Sequence, residues 1–315
     1  MDRIVDIETD GQHLAIYRGF LTVSKSGEEI GRIAVDDIGA LIVHAHGITW
    51  SNHVFVRLSE AGIPVVLCAQ NHAPVSIVWP LEGHHVQHAR MKAQMQASRP
   101  LQKQLWAQIV TAKVRMQGQV IKAAGQNNVA FDMLARKVRS GDPQNIEAQA
   151  ARKYWQLLFG SDFRRDKNRS DANALLNYGY TVLRAIVSRA ICGSGLHPTL
   201  GIFHSNSYNA FALSDDLMEP FRPVVDIVVR NLIAAGKYDV DPETKSSLTS
   251  ISTFDLEGVE GTSPLTLHIT RLVHSLAKSF EAGKAELVFP RLPSHIELCS
   301  LGISLEEEEV SDSLS

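Results

Sequence analysis

Residues 196–204 read Leu-His-Pro-Thr-Leu-Gly-Ile-Phe-His, and residues 215–223 read Asp-Asp-Leu-Met-Glu-Pro-Phe-Arg-Pro. The first segment is a turn, marked by its proline and its glycine, that ends on His204. The second segment has the acidic composition of a first helical turn. A histidine and carboxylates that come together from separate elements are the ligands that a divalent-metal site requires. The two segments therefore predict a metal-dependent active site and a fold that must bring them together.

The spacing of the carboxylates leaves a second explanation open. Asp216 and Glu219 are three residues apart and would share one face of a helix. Pro220 marks a helix start, because proline fits the first turn and disfavours helical geometry in the residue before it. The positive end of the helix dipole also stabilises acidic residues there without any metal. Helix capping is thus the alternative for the carboxylates, and a surface or core position is the alternative for His204.

Four ordered motifs resemble one protein family. They are Gly-Leu-His-Pro-Thr-Leu-Gly-Ile-Phe-His at 195–204, Asp-Leu-Met-Glu-Pro-Phe-Arg-Pro at 216–223, Asn-Ile-Glu-Ala-Gln-Ala-Ala-Arg-Lys-Tyr-Trp at 145–155 and Asn-Ala-Leu-Leu-Asn-Tyr-Gly-Tyr at 173–180. This pattern is similar to the CRISPR-associated integrase family, the Cas-one proteins of prokaryotic adaptive immunity. The resemblance covers most of the chain, from the strand-rich start to about Pro293.

The resemblance implies the residues of the site. Glu147, His204 and Glu219 would bind a catalytic Mg²⁺ or Mn²⁺, and Asp216 would be an auxiliary carboxylate beside them. Two carboxylates and one imidazole suit these ions better than structural zinc. Many members of the family have aspartate in place of Glu219, so the resemblance favours the glutamate-bearing branch of single-effector (type II) systems. The sequence offers no convincing protein nucleophile, since it has neither a serine or cysteine elbow nor a phosphate-binding glycine loop.

The resemblance also implies a reaction and partners. The 3′-hydroxyl of a captured DNA fragment would attack a phosphodiester at the edge of a CRISPR repeat, inserting the fragment as a new spacer. With water as the nucleophile, the same site would act as a DNA endonuclease. The family works as homodimers that form a heterohexamer with a small partner, Cas-two. Two alternatives stay open: a standalone structure-specific DNA nuclease or repair factor, and a non-catalytic DNA-binding assembly subunit.

Charge is distributed unevenly along the chain. The net charge is −3, yet residues 88–170 carry 16 basic and 5 acidic side chains, a local charge of +11. Phosphate contacts supply most of the non-specific affinity for DNA, so a basic segment of this kind predicts a DNA footprint. A solvated helical face is the alternative. The candidate DNA-binding residues are Arg90, Arg164, Arg165, Lys167 and Arg222.

The hydrophobic pattern changes near residue 88. Before it, short runs rich in Ile, Val and Leu alternate with Asp-Gly, Ser-Gly and Asp-Asp turn signals; after it, the period is helical, with Lys113 largely outside an apolar stripe. This predicts an α+β fold with a β-rich N-terminal domain followed by a larger all-α catalytic domain. The predicted domains are 1–82 (scaffold and dimerisation), 83–303 (catalytic) and 304–315 (acidic tail). Strands are predicted at 3–8, 13–25, 30–35, 39–45, 63–69 and 74–80, and helices at 51–61, 88–122, 129–140, 143–159, 172–192, 213–235, 242–250 and 266–282.

Several features exclude other classes. The three cysteines have no zinc or disulfide spacing, and no apolar run reaches the roughly 18 residues of a membrane span. The chain opens directly onto a strand-like run without a leader, so we expect a cytoplasmic protein. The resemblance implies that it is prokaryotic. His84, His85 and His88 lack an accompanying carboxylate or cysteine at a familiar metal spacing, which favours DNA or interface contacts for them.

Overall fold

The computed structural model of the chain describes residues 3–70, 74–80, 86–166, 169, 171–204, 209–258, 261–299 and 301. Its first part is rich in strands and its second part is helical, which confirms the predicted α+β class. The strands are β1 Arg3–Ile7, β2 Gln12–Tyr17, β3 Phe20–Lys25, β4 Glu28–Ala34, β5 Ile38–Val43, β6 Thr49–Trp50, β7 Val65–Cys68, β8 Pro74–Val78, β9 Asp255–Gly258 and β10 Gly261–Pro264. The helices are α1 Asn52–Glu60, α2 Gln87–Met95, α3 Arg99–Ala123, α4 Val129–Lys137, α5 Ile146–Phe159, α6 Ala172–Gly193, α7 Ala212–Met218, α8 Arg222–Ala234, α9 Pro242–Thr249, α10 Leu265–Ala282 and α11 His295–Cys299.

Two four-stranded sheets form the first part. One has the order β1-β5-β7-β8 and the other the order β4-β3-β2-β6. Every residue of the central strand β5 is buried, because successive side chains on a strand point to opposite faces and both faces are covered. Leu41 and Val43 lie in the core shared with the second sheet and α1, whereas Ala40 and Ile42 lie in the larger core of the helices. Strand β5 therefore joins the two parts of the chain.

The predicted single strand at 13–25 is a hairpin. Strands β2 and β3 pair antiparallel across Arg18 and Gly19, whose φ angles are 47° and 84°. Positive φ at both central residues is the geometry of a two-residue type I′ turn, which follows the twist of the strands. The sequence prediction missed this turn because Arg-Gly is not one of the usual pairs for it.

Helix α6 is the centre of the helical part. It is buried along nearly its whole length and packs against α7, α8, α9, α10 and β5. Gly179 permits a close approach to α8, since a Cβ atom there would lie 2.4 Å from Val225. The large helical core thus fixes where α7 and α8 can lie, and these helices flank the candidate site.

Further details differ from the sequence prediction. The single helix predicted over 88–122 is two helices, α2 and α3, separated at residues 96–98. The helix predicted over 213–235 is interrupted between Met218 and Arg222, giving α7 and α8; Pro220 lacks the amide hydrogen that a continuous helix needs. Strands β9 and β10 form a two-stranded ribbon within the helical part. The helix predicted from 143 begins at Ile146, after a cap.

No helix among the described residues is long and apolar enough to cross a membrane. Lys167, His84, His85, the predicted boundary between 82 and 83, and the acidic tail 304–315 lie outside the residues that the structure describes. The division into domains at these positions stays a prediction.

Candidate active site

Glu147 lies in the first turn of α5, at a capped helix start. The carboxylate of Asp142 accepts hydrogen bonds from the backbone amides of Ile146 and Glu147, both at 2.9 Å. Asn145 is the N-cap residue and adopts a left-handed conformation, with φ of 51°. These contacts satisfy amides that the helix itself leaves unpaired. They hold the backbone of Glu147 in a fixed place.

Glu219 lies in the interruption between α7 and α8 and is buried. Its Oε1 atom is 3.0 Å from Nε of Arg222, and its Oε2 atom is 2.5 Å from Nζ of Lys113. Burial alone raises the pKa of Glu219, but Arg222 and Lys113 outweigh burial and hold this pKa below its usual value. Glu219 is therefore a buried carboxylate that its two cationic neighbours keep ionised.

Lys113 joins the two glutamates. Its Nζ atom lies 2.7 Å from Oε1 of Glu147 and 2.5 Å from Oε2 of Glu219, and its side chain is only 12% exposed. Burial lowers the pKa of Lys113, yet the two carboxylates more than offset burial and raise it. The helical period of the sequence placed Lys113 outside the apolar stripe of α3. In the structure its side chain points into the candidate site, where both glutamates share its positive charge.

His204 lies in the loop between α6 and α7, and the side chain of Asp216 contacts it. The Oδ1 atom of Asp216 is 2.5 Å from Nδ1 of His204, and Oδ2 accepts the backbone amides of Ile202 and Phe203 at 2.6 and 2.9 Å. The hydrogen bond to Asp216 raises the pKa of His204. With Nδ1 engaged, Nε2 is the ring nitrogen left to act as a ligand.

The same loop requires a glycine. A Cβ atom at Gly201 would lie 2.5 Å from the backbone oxygen of His204 and 3.0 Å from Oδ2 of Asp216. Real Cβ atoms do not approach a backbone oxygen so closely, so the loop could not keep its path with a larger residue. The glycine that marks the turn in the sequence is thus part of how His204 is placed.

Trp106 packs against the histidine loop from α3. Its ring stacks on Phe203 at a centroid distance of 4.3 Å, and it meets the ring of His204 edge-on at 5.8 Å. Trp106 and Lys113 are seven residues apart and hence share one face of the helix. Helix α3 therefore contributes an aromatic support and a cation to the site. The sequence prediction missed both, because nothing local distinguishes them from other residues of a basic amphipathic helix.

A buried polar layer lies behind Glu219. The guanidinium of Arg222 stacks over the ring of Tyr180 at 4.8 Å. The hydroxyls of Tyr180 and Tyr154 donate to Asp226 at 2.5 and 2.9 Å. Burial raises the pKa of Asp226 to about 7. This layer connects α5, α6 and α8, the helices around the site, through hydrogen bonds and one cation–π contact.

The candidate DNA-binding arginines already have protein partners. Arg90 pairs with Glu281 at 3.0 Å and donates to the backbone oxygen of Ser194, at the C-terminal end of α6. Arg164 is exposed and donates to carbonyls of its own loop. Arg165 donates to two asparagines of α6, at 2.9 and 2.7 Å. Arg164 therefore offers an exposed guanidinium, while Arg90 and Arg165 bind other parts of the protein.

The donor atoms fit a divalent cation in kind. Across the described residues, no group of three or more His, Cys, Asp and Glu side chains is close enough to hold a metal ion. Two of the candidate ligands, Glu147 and Glu219, nevertheless already share a cation, the Lys113 ammonium. Oε2 of Glu219 is buried, and the ammonium of Lys113 at 2.5 Å supplies its counter-charge. Carboxylate oxygens and one imidazole nitrogen are suitable ligands for Mg²⁺ or Mn²⁺.

The family model described as CRISPR associated protein Cas1 matches residues 5–250 of this chain. The CRISPR-associated endonuclease Cas1 of Neisseria meningitidis serogroup C (strain 8013) is 34% identical over 278 residues, which cover 87% of this chain and 90% of that protein. The CRISPR-associated endonuclease Cas1 2 of Pyrobaculum aerophilum is 27% identical over 285 residues, which cover 85% of this chain and 96% of that protein.

Solved structures share the architecture. A casposase bound to integration product has a TM-score of 0.77 at 20% identity, covering 91% of this chain and 93% of that chain. A Cas6-RT-Cas1–Cas2 complex has a TM-score of 0.74 at 19% identity, covering 93% of this chain and 36% of that chain. A Cas1 protein from Thermotoga maritima has a TM-score of 0.69 at 17% identity, covering 90% of this chain and 98% of that chain. At these identities the likeness concerns the fold: a β-rich part followed by a helical part.

Proposed function

Because the chain belongs to the Cas1 family of CRISPR-associated proteins, we propose that it is a DNA endonuclease and integrase that inserts captured DNA fragments into a CRISPR array as new spacers. The observation that carries this proposal is the convergence of Glu147 and Glu219, from separate helices, on one cation. Helix capping alone would explain one acidic residue at a helix start. It does not explain two carboxylates that face each other across a shared charge.

In this proposal Glu147, His204 and Glu219 hold Mg²⁺ or Mn²⁺. Such an ion, when bound, polarises a phosphodiester and lowers the pKa of the attacking hydroxyl or water. Asp216 fixes the ring of His204 through Nδ1 and leaves Nε2 as the ligand atom. Arg222 pairs with Glu219 and, with Lys113, keeps that carboxylate ionised and ready to bind a cation.

The reaction exchanges one phosphodiester for another. The 3′-hydroxyl of the fragment loses its proton as its oxygen forms a bond to phosphorus at the repeat edge. The 3′-oxygen of the cleaved strand leaves and takes up a proton. Bonds of equal kind are formed and broken, so the step needs no ATP. With water in place of the 3′-hydroxyl, the same exchange is endonucleolytic cleavage.

The proposed partners are DNA, a second copy of this chain and Cas2. A solved relative of similar fold is a Cas6-RT-Cas1–Cas2 complex, and another is a casposase bound to integration product; these support partnership with Cas2 and with DNA. We further propose that two homodimers and a Cas2 dimer form a heterohexamer. We also propose that the chain belongs to the branch of single-effector systems, because the family resemblance favours that branch for a glutamate at position 219.

A strand-transfer assay tests the proposal. The chain is mixed with its Cas2 partner, Mg²⁺ or Mn²⁺, a labelled DNA fragment and a plasmid bearing the repeat array. We expect the label to join the plasmid at the repeat edge, and to be absent from it with Glu147→Ala or with EDTA. Gln149→Ala is the matched control, because this exposed residue lies on the same helix. Cleavage without joining would favour the standalone nuclease, and full joining by Glu147→Ala would remove that residue from the site.

A further inference from the structure

Lys113 is the one residue that contacts both carboxylates proposed to bind the metal, as far as the described residues extend. Its ammonium lies 2.7 Å from Glu147 and 2.5 Å from Glu219, and it reaches them from a third helix, α3. The side chain is largely buried, so the contact is not a loose surface ion pair. The lysine ammonium is a compact charge on a flexible four-carbon chain. It can therefore be displaced more easily than an arginine guanidinium, which is planar and often binds carboxylates through two nitrogens or stacks on an aromatic ring.

We infer that Lys113 is a resident cation: it holds the two glutamates together in the metal-free protein, and an incoming divalent ion displaces it. This inference rests on the proposed metal role of Glu147 and Glu219. Two carboxylates that share a site repel each other, and one of these is buried, where an unpaired charge is costly. The ammonium offsets that cost before metal arrives.

Metal binding must then be an exchange of cations. An ammonium and a divalent ion repel each other strongly at contact distance in a partly buried site, so both cannot stay on the same pair of oxygen atoms. The energy needed to release Lys113 therefore reduces the affinity of the protein for metal. The alternative is that Lys113 is a fixed structural partner of the glutamates, present in the metal-loaded protein as well.

The two roles predict opposite effects of Lys113→Met on the full-length protein. For a resident cation, the variant should melt at a lower temperature without metal and regain most of the wild-type melting temperature at saturating Mn²⁺. Its affinity for Mn²⁺ should rise by about 10- to 100-fold, the range over which residues around metal ligands change affinity. For a fixed partner, the variant should be less stable with and without metal, and its affinity should fall or stay the same.

Calorimetric titration with MnCl₂ and thermal melting, without any DNA, measure both quantities. Lys113→Gln keeps most of the length of the side chain and a hydrogen-bond donor, and provides a second variant if Lys113→Met folds poorly; it should bind Mn²⁺ more tightly than wild type. Lys122→Met removes the same charge from an exposed position of α3 and should leave affinity unchanged. Unchanged or weaker Mn²⁺ binding by both Lys113 variants would overturn the inference.

The titration also separates this inference from the metal role itself. Glu147→Ala should lose Mn²⁺ binding whether Lys113 is displaced by the metal or stays in place as a fixed partner. If wild type and Glu147→Ala bind Mn²⁺ equally, the proposed metal site is wrong. If Glu147→Ala loses binding while the Lys113 variants gain none, the metal site stands and the exchange of cations is wrong.

Discussion

Asp216 and His204 form one hydrogen-bonded unit. Oδ1 of Asp216 lies 2.5 Å from Nδ1 of His204, and Asp216 itself has no exposed surface. Its other oxygen accepts hydrogen bonds from the backbone amides of Ile202 and Phe203, in the same loop as His204. The carboxylate thus orients the ring and the loop together.

The first prediction concerns this pair. Asp216→Asn should weaken Mn²⁺ binding and strand transfer by about 10- to 100-fold, because the side chain that orients His204, a proposed metal ligand, loses its charge and one of its acceptor atoms. His204→Ala should abolish strand transfer. Metal titration and the joining assay measure the two effects. Wild-type affinity in Asp216→Asn would mean that the hydrogen bond does not orient a ligand.

Glu219 and Glu147 should differ in their effects on stability. Glu219→Ala leaves Arg222 and Lys113 short of a buried counter-charge, and breaking a buried pair costs roughly 3–5 kcal/mol. Glu147 is more exposed than Glu219, so Glu147→Ala should destabilise the fold less while abolishing activity as fully. Urea unfolding of the two metal-free variants measures the difference. Equal decreases in unfolding free energy would contradict it.

Gly201→Ala should disrupt the histidine loop. The added methyl group would overlap the backbone oxygen of His204 at 2.5 Å, and forced overpacking of this kind typically costs about 1–3 kcal/mol. We expect lower thermal stability and loss of strand transfer. Gly193→Ala is the matched control, since nothing lies within 4 Å of the Cβ position there. If the two variants behave alike, the loop can move to accept a side chain.

Asp226 should make stability depend on pH. Burial raises its pKa to about 7, above the value of 3.8 for an unperturbed aspartate. The folded state therefore binds this proton more tightly than the unfolded state, and the resulting stability is present below about pH 4 and lost as pH rises through about 7. Asp226→Asn cannot lose a proton, so its stability relative to wild type should increase over that interval, by at most about 1.4 kcal/mol per pKa unit.

Urea unfolding at a series of pH values checks this prediction. Burial also raises the pKa of Asp6 to about 7. The unfolding free energy of Asp226→Asn should therefore still decrease as pH rises through about 7, because Asp6 loses its proton there. A constant difference in unfolding free energy between wild type and Asp226→Asn at all pH values would show that Asp226 has an ordinary pKa.

Arg164 tests the DNA footprint of the basic segment. Arg164→Ala should weaken binding to unrelated DNA duplexes about equally and reduce the slope of log K against log[salt] by roughly 0.9, the value for a single neutralised phosphate. Arg165 is less suitable, because its bonds to Asn173 and Asn177 hold the loop in place. Arg57→Ala, an exposed position of α1, is the control. Fluorescence anisotropy at several salt concentrations measures the slopes, and an unaltered slope would place the DNA path elsewhere.

The sequence determined the class of fold, and its motifs, through the resemblance that they carry, supplied the residues of the candidate site. The change from strand signals to helical periodicity near residue 88 agrees with the structure, apart from the ribbon of β9 and β10, because side-chain periods of two and of 3.6 residues are local properties. The turn at 195–204 and the acidic segment at 216–223 could be recognised in the sequence for the same reason, because prolines, glycines and charges act on their nearest neighbours.

Tertiary structure decided what depends on residues far apart. Lys113 follows the pattern of an exposed basic residue, yet its two partners lie 34 and 106 residues further along the chain, and only the packing of α3 against α5 and α8 buries it between them. The interruption of the helix at 219–221 likewise places one carboxylate where Lys113 and Arg222 can both reach it. Pro220 marks the interruption in the sequence, but a single sequence carries no signal for the groups that Glu219 and Lys113 meet. The energy of a buried charge is set by whichever groups the fold brings beside it.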